Sequence, residues 1–234
     1  MAALIFDAAA VAALGAPVLC ADTCSVLDMM RTPTREGVQA HERLAALALV
    51  MAMEGGTQLI GLKAEQVVHE LDENQPGVED ETEKSLTKLK AQLARIDAVA
   101  AAYGASGKAD IAHLDDHLAR ALAVVARWRS ASHLVQQKME IAGRALVRVN
   151  QGRTPADKGK QAMKDCVVIE TYLDAVRELR ATGLTAPIVF ASSNTKDYAQ
   201  ATGTALKSDL AKEFAGLNMA YAPNLAAAKH MLGL

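Results

Sequence analysis

Apolar positions change rhythm several times along the 234-residue chain. Short unbroken apolar runs, bounded by Gly, Pro or Asp, predict buried strands at 17–21, 58–62, 187–191 and 217–222. Apolar residues recurring every three or four positions, or runs of helical composition, predict helices at 3–14, 36–54, 64–73, 134–149, 165–181 and 224–232. Gly15 and Pro17 stop the first of these, and Gly55-Gly56 the second. In mid-chain, Leu86, Leu89, Leu93, Ile96 and Val99 form one stripe; Leu114, Leu118, Leu122 and Val125 form another, with Trp128 after it. The two stripes predict an αα-hairpin that turns near 104–107. Residues 150–164 read NQGRTPADKGKQAMK, polar, basic and punctuated by Gly152, Pro155 and Gly159, which predicts a loop. Strands alternating with helices imply an α/β fold: a mostly parallel central sheet flanked by helices.

Composition adds little to that picture but excludes some alternatives. With 51% hydrophobic and 22% charged residues, the chain has ample material for a core. Aromatics make up only 3%, and the abundance of alanine suggests helices packed closely through small side chains. The formal net charge of -2 gives no overall basic field, so a bound polyanion requires a local basic patch. Cys20, Cys24 and Cys166 are odd in number and show no C-x-x-C spacing, which argues for a reducing compartment and buried thiols. The apolar N-terminal run lacks a basic leader and is broken by Asp7, so it is not read as a signal peptide. The expectation is a cytoplasmic protein without a membrane segment.

In parallel sheets, sites form beyond the carboxyl ends of the strands, which directs attention to Asp22 and to the segment after Ala191. Familiar sites are missing. No G-x-G-x-x-G follows a strand, Gly159-Lys160 is flanked by the wrong residues for a phosphate loop, and no G-x-S-x-G occurs. His113 and His117 are spaced for chelation but share a polar helix face with Asp115 and Asp116. What remains is four acids at places the fold would bring together. Asp22 ends the first strand, Glu70 follows the second, Asp165 opens the long helix and Asp197 follows the third strand. Singly, each has an ordinary role as a cap, a solvated helix residue or a turn former. Jointly, they are the oxygen donors that Mg²⁺ and Mn²⁺ prefer, and a bound metal of this kind supports phosphodiester hydrolysis without a Cys or His nucleophile. Glu170 lies five residues after Asp165, about 140° around the helix, and is not placed to share an ion with it.

Four segments resemble the PIN-like domains, a family of metal-dependent nucleases. Val18–Asp28 (VLCADTCSVLD) looks like the opening strand and its Asp motif, and Glu65–Leu71 (EQVVHEL) is similar to the helix bearing the family's Glu. Lys164–Thr171 (KDCVVIET) looks like the helix whose first Asp is the third acid, and Val189–Tyr198 (VFASSNTKDY) resembles the last strand and its acidic turn. The resemblance implies one PIN-like domain over 1–234, with a helical insertion, the αα-hairpin, at about 79–135. It implies Asp22, Glu70 and Asp165 as catalytic metal ligands, completed by Asn194 and Asp197. At the fourth acidic position the chain has Asn194 and Thr195 where many members have Asp, and Asn offers a carbonyl oxygen without charge. The implied activity is Mg²⁺- or Mn²⁺-dependent endoribonuclease cleavage, as a toxin or RNA-processing enzyme. Arg153, Lys158, Lys160 and Lys164 are the candidate substrate-binding cations on the basic loop. RNA is the expected partner, DNA is admitted by the same chemistry, and an antitoxin and a homodimer are further expectations. Two other readings stand beside this one: a catalytically weakened nucleic-acid-binding module, which Asn194 favours, and a protein-interaction domain working through the hairpin.

Overall fold

A computed structural model describes residues 4–37, 39–156 and 162–234. The fold is α/β, with five parallel strands: β1 (Val18–Ala21), β2 (Ile60–Ala64), β3 (Ser132–Val135), β4 (Ile188–Ala191) and β5 (Met219–Ala222). Their order is β3-β2-β1-β4-β5. β1 and β4 are buried throughout because helices cover both faces, which is why they read as unbroken apolar runs. Helices α3 (Ala40–Glu54), α5 (His117–Ala131) and α10 (Leu225–Met231) pack in one group; α1 (Ala8–Leu14), α6 (Met139–Asn150) and α7 (Met163–Ala181) pack in another. The remaining helices are α2 (Thr23–Leu27), α4 (Glu65–Ala102), α8 (Thr195–Tyr198) and α9 (Ser208–Gly216). No helix among the described residues is long and apolar enough to cross a membrane.

The sheet has one strand more than the pattern predicts. β3 follows α5 without a loop, so no turn residues announce it, and its four residues fall at the end of the 79–135 segment expected to be helical. It pairs with β2 from Gly61↔Ser132 to Ala64↔Val135. The approach is close: a Cβ on Gly61 would lie 2.3 Å from Met53 Sδ and 2.9 Å from Ser132 Oγ, which accounts for glycine inside a buried strand. The free edge of β3 is covered by residues 4–6, since Leu134 N donates to Leu4 O (2.7 Å) and Phe6 N to Leu134 O (2.9 Å). The first helix therefore begins at Ala8 rather than 3, capped by Asp7, whose Oδ1 accepts from Ala9 N and Ala10 N.

The second correction concerns the hairpin. The expected helix at 64–73 and the first hairpin helix are one 38-residue helix, α4, running through Pro76. Val67, Leu71, Val78, Thr82 and Leu86 are buried along one continuous stripe, and Thr82 Oγ1 donates to Met30 O. Packing of that stripe outweighs the cost of one proline. α9, which the pattern did not single out, fills the span before β5 with Leu210 and Phe214 buried.

β1 connects to β2 on one side and β4 to β5 on the other, so adjacent strands β1 and β4 mark the point where strand order reverses. A crevice beyond their carboxyl ends is the usual place for a ligand in such sheets.

Candidate functional site

Asp22 is the first residue past β1 and caps α2. Although only 3% exposed, its carboxylate is well supplied with donors. Thr23 N donates to Oδ1 (2.8 Å); Ser192 Oγ (2.6 Å) and the Cys24 thiol (3.1 Å) donate to Oδ2. Ser192 stands at the end of β4 and is itself fixed, its N–H donating to Ala222 O and its carbonyl accepting from Tyr221 Oη. Burial nevertheless pushes the Asp22 carboxyl above its usual range, with Asp197 adding to the rise and the three donors opposing it.

Glu70, in the second turn of α4, reaches the same place. Thr23 Oγ1 donates to its Oε2 (2.8 Å) and Gln66 Nε2 to its Oε1 (3.1 Å). Burial raises this carboxyl too, and Asp22 contributes. Thr23 thus links the two acids, its N–H to one and its hydroxyl to the other.

Asp165, in the first turn of α7, is half-buried, and its carboxyl is pushed up to about 7. Burial is the largest cause, followed by Asp22, Glu70 and Asp197, and no donor among the described residues relieves it. Four acids from four separate segments therefore stand within electrostatic reach of one another. Behind them lies Tyr198, fully buried, its hydroxyl without a hydrogen-bond partner. Burial raises that phenol, and Asp22, Asp165, Cys24 and Glu70 all add to the rise, so the hydroxyl lies within electrostatic reach of the carboxylates. Neither Ser192 nor Tyr198 stands out in the sequence: both lie within the VFASSNTKDY segment, but nothing in its residue types distinguishes a bonded hydroxyl from an orphaned one.

The remaining expected positions are placed differently. Asn194 and Asp197 face each other, with Asn194 Nδ2 donating to Asp197 Oδ2 (2.7 Å). Arg153 pairs with Glu213 (2.5 Å) and Lys164 with Glu73 (2.6 Å), so both cations are engaged by the protein itself. Lys158 and Lys160 lie outside the described residues. Glu170 is buried in an ion pair with Arg148 at 2.6 Å, which makes it structural. His113 is exposed on a short 3-10 turn at Ala112–Leu114 and His117 is half-buried at the start of α5, its Nε2 without a partner, so the two do not share the polar helix face expected.

Among the described residues, no three His, Cys, Asp or Glu side chains converge as a ready metal-binding group. By donor type alone, the acids suit a hard divalent cation. Asp22, Glu70 and Asp165 are the oxygen ligands such an ion prefers. Near the acids, a hydrated cation would also relieve two unanswered groups, the Asp165 carboxylate and the Tyr198 hydroxyl. Comparison of the chain with protein-family models, characterised proteins and solved structures finds no match.

Proposed function

We propose that this chain is a divalent-metal-dependent endoribonuclease of PIN-like type, with Asp22, Glu70, Asp165 and Asp197 as its acidic centre and Mg²⁺ or Mn²⁺ as its cofactor. One observation carries the reading. Asp165 stands within electrostatic reach of three other acids, with no donor of its own among the described residues, and an orphaned phenol lies within the same reach. Buried like charges repel, and folds tolerate them where an ion or a substrate compensates.

In this reading Asp22, Glu70 and Asp165 hold the cation. Thr23, Ser192 and Cys24 hold the orientation of Asp22, and Thr23 and Gln66 that of Glu70, so drawing the three acids onto one ion falls mainly to Asp165. The metal, when bound, polarises a phosphodiester oxygen and lowers the pKa of a coordinated water. Tyr198 offers an O–H donor at the floor of the site. RNA processing or toxin activity, a cytoplasmic location, an antitoxin and a homodimer follow from the family resemblance and belong to the same proposal.

The test is cleavage of end-labelled structured RNA with Mg²⁺ or Mn²⁺, comparing wild type with Asp22→Asn and Asp165→Asn. The expected outcome is metal-dependent cutting that both substitutions reduce by at least about 100-fold, the scale of losing one transition-state charge contact. Cutting that survives both substitutions, or no cutting by a folded wild type on several RNAs and DNAs, overturns it. A second reading is favoured by one contact: the Asn194 amide nitrogen engages Asp197, which turns that acid toward the protein. A binding module with weakened catalysis would look like this, and would bind RNA without cutting it.

A further inference from the structure

Cys24, whose thiol donates to Asp22, also lines a cavity of about 460 Å³. Its walls come from the segment after α2, the start of α3, the β4–α8 turn and the start of α10. Arg31, Arg35, Arg43 and Lys196 line it, and Cys24 is shared between this cavity and Asp22. We propose that this cavity is a phosphate-binding subsite that seats a phosphate group of the strand whose neighbouring linkage meets Asp22 and Asp165.

Three guanidiniums do not crowd one cavity without cost. Asp28 is shared between two of them, with Arg31 Nε at 2.9 Å and Arg35 Nη1 at 3.9 Å, so it compensates neither fully. Arg43 donates one Nη to the Arg31 carbonyl (3.1 Å). Glu42 also lines the wall, but it is held by Asn224 Nδ2 (2.9 Å), and that asparagine caps α10 through Ala227 N. Glu36 is exposed at the rim. Arg31 Nη1 also lies 3.7 Å from Glu81 Oε2, so the cations are partly balanced, while Arg43 keeps guanidinium donors beyond its one carbonyl bond. Burial lowers the Arg43 pKa; Asp28 and Glu42 oppose the fall, and Arg31 and Arg35 add to it by less. Planar guanidinium forks match phosphate oxygens in pairs. The cavity is of the size that holds a small organic ligand or one unit of a strand.

The location supplies the register. The candidate cations on the 150–164 loop that the structure describes, Arg153 and Lys164, are already paired. The arginine cavity is instead joined to Asp22 through Cys24, so a strand seated there by one phosphate would bring an adjoining linkage toward the acids. That the strand is RNA rests on the nuclease reading; the cavity's preference for phosphate does not.

The experiment is fluorescence anisotropy at low salt with chelator present, using a 3′-labelled eight-nucleotide RNA with either a 5′-phosphate or a 5′-hydroxyl. Wild type is compared with Arg43→Ala, Arg43→Lys, Lys196→Ala and Asp22→Asn, each checked for folding by circular dichroism. Inorganic phosphate is the competitor. Arg43→Ala is expected to weaken binding roughly tenfold or more, Arg43→Lys by less, and Lys196→Ala by less again. Asp22→Asn, which removes a negative charge near the seated strand, is expected to tighten binding, and inorganic phosphate displaces the RNA. A preference for the 5′-phosphate identifies a strand terminus as the ligand; equal binding of the two RNAs identifies an internal phosphate. RNA that binds the folded Arg43 and Lys196 variants as tightly as wild type, or that fails to bind wild type, overturns the proposal. Arg43-dependent binding by a wild type that cuts nothing keeps the subsite and removes the nuclease reading.

Discussion

The molecule buries charge in two places and treats it in opposite ways. At the junction of α6, α7 and α9, Arg148 is wholly buried, and every arm of its guanidinium is answered: Nε by Glu170 Oε1, Nη1 by Thr154 O and Nη2 by Glu213 Oε2, each at 2.7 Å. Arg144 and Arg153 approach the same two glutamates from outside. At the ends of β1 and β4 the buried charges are all of one sign, and Asp165 has no answering donor. Both clusters join segments distant in sequence. The first is closed, and its charges serve to fix α6 and α9 against α7. The second is open, and an open cluster of buried acids is stable only at a cost that a ligand can remove. The difference separates a structural network from a candidate site without reference to any relative.

The largest effect should come from breaking the closed cluster. Arg148→Ala leaves Glu170 and Glu213 short of a partner in a buried setting, which costs about 3 kcal/mol, toward the low end for a severed buried ion pair because Arg144 and Arg153 remain. A urea denaturation midpoint measures it. A loss under about 1 kcal/mol would mean that the network is solvated in practice and that the contrast with the acidic site is weaker than drawn.

The acidic site should respond with the opposite sign. In the metal-free fold Asp165 keeps its proton to about pH 7, whereas the unfolded chain releases it near the usual 3.8. The folded state then binds more protons between those values, so stability falls as pH rises through that window and levels off above it. Asp165→Asn removes the charge and the fall. With chelator at pH 8 the variant should melt above wild type by about 4–8 °C, corresponding to ~2 kcal/mol once partial solvation is allowed for. Near pH 4 the gap should close. A variant that melts below wild type at pH 8 would show that the carboxylate is stabilised in the fold, and the cluster would no longer count as open.

How far the two clusters can be read from the sequence follows from what each depends on. Asp22 is legible because an unbroken apolar run ends in an acid, and the end of a buried parallel strand is a defined place. Asp165 is legible as an acid in the first turn of a strongly periodic helix. Arg148 reads as one more exposed basic residue on α6, since its burial depends on α9, whose helix the pattern did not reveal. β3 was hidden by its lack of flanking turn residues, and the continuity of α4 by Pro76, a local signal overridden by a stripe packed over five turns and more. The arginine cavity is assembled from four segments whose meeting is a property of the topology alone.

The smallest effect is the sharpest test of what the orphaned phenol means. Tyr172 and Tyr198 are both fully buried near the ends of the central strands, yet only one hydroxyl is employed. Tyr172 Oη donates to Ala21 O (2.7 Å) and accepts from Ala64 N (3.1 Å), closing the gap where β1 and β2 part. Tyr172→Phe leaves those two backbone groups unanswered and should cost about 1–3 kcal/mol, whether or not a cation is present. Tyr198→Phe removes a hydroxyl with no partner, so the metal-free protein should change by less than about 0.5 kcal/mol or become slightly more stable. With Mn²⁺ added the comparison changes. If the Tyr198 hydroxyl completes a hydrated ion held by Asp22, Glu70 and Asp165, the melting temperature of wild type should rise more than that of Tyr198→Phe, and calorimetric titration should show weaker Mn²⁺ binding to the variant. An equal rise in both proteins would leave the phenol as an unexplained defect of the floor. No rise in wild type at millimolar Mn²⁺ would go further, because the acids would then be open to something other than a divalent cation.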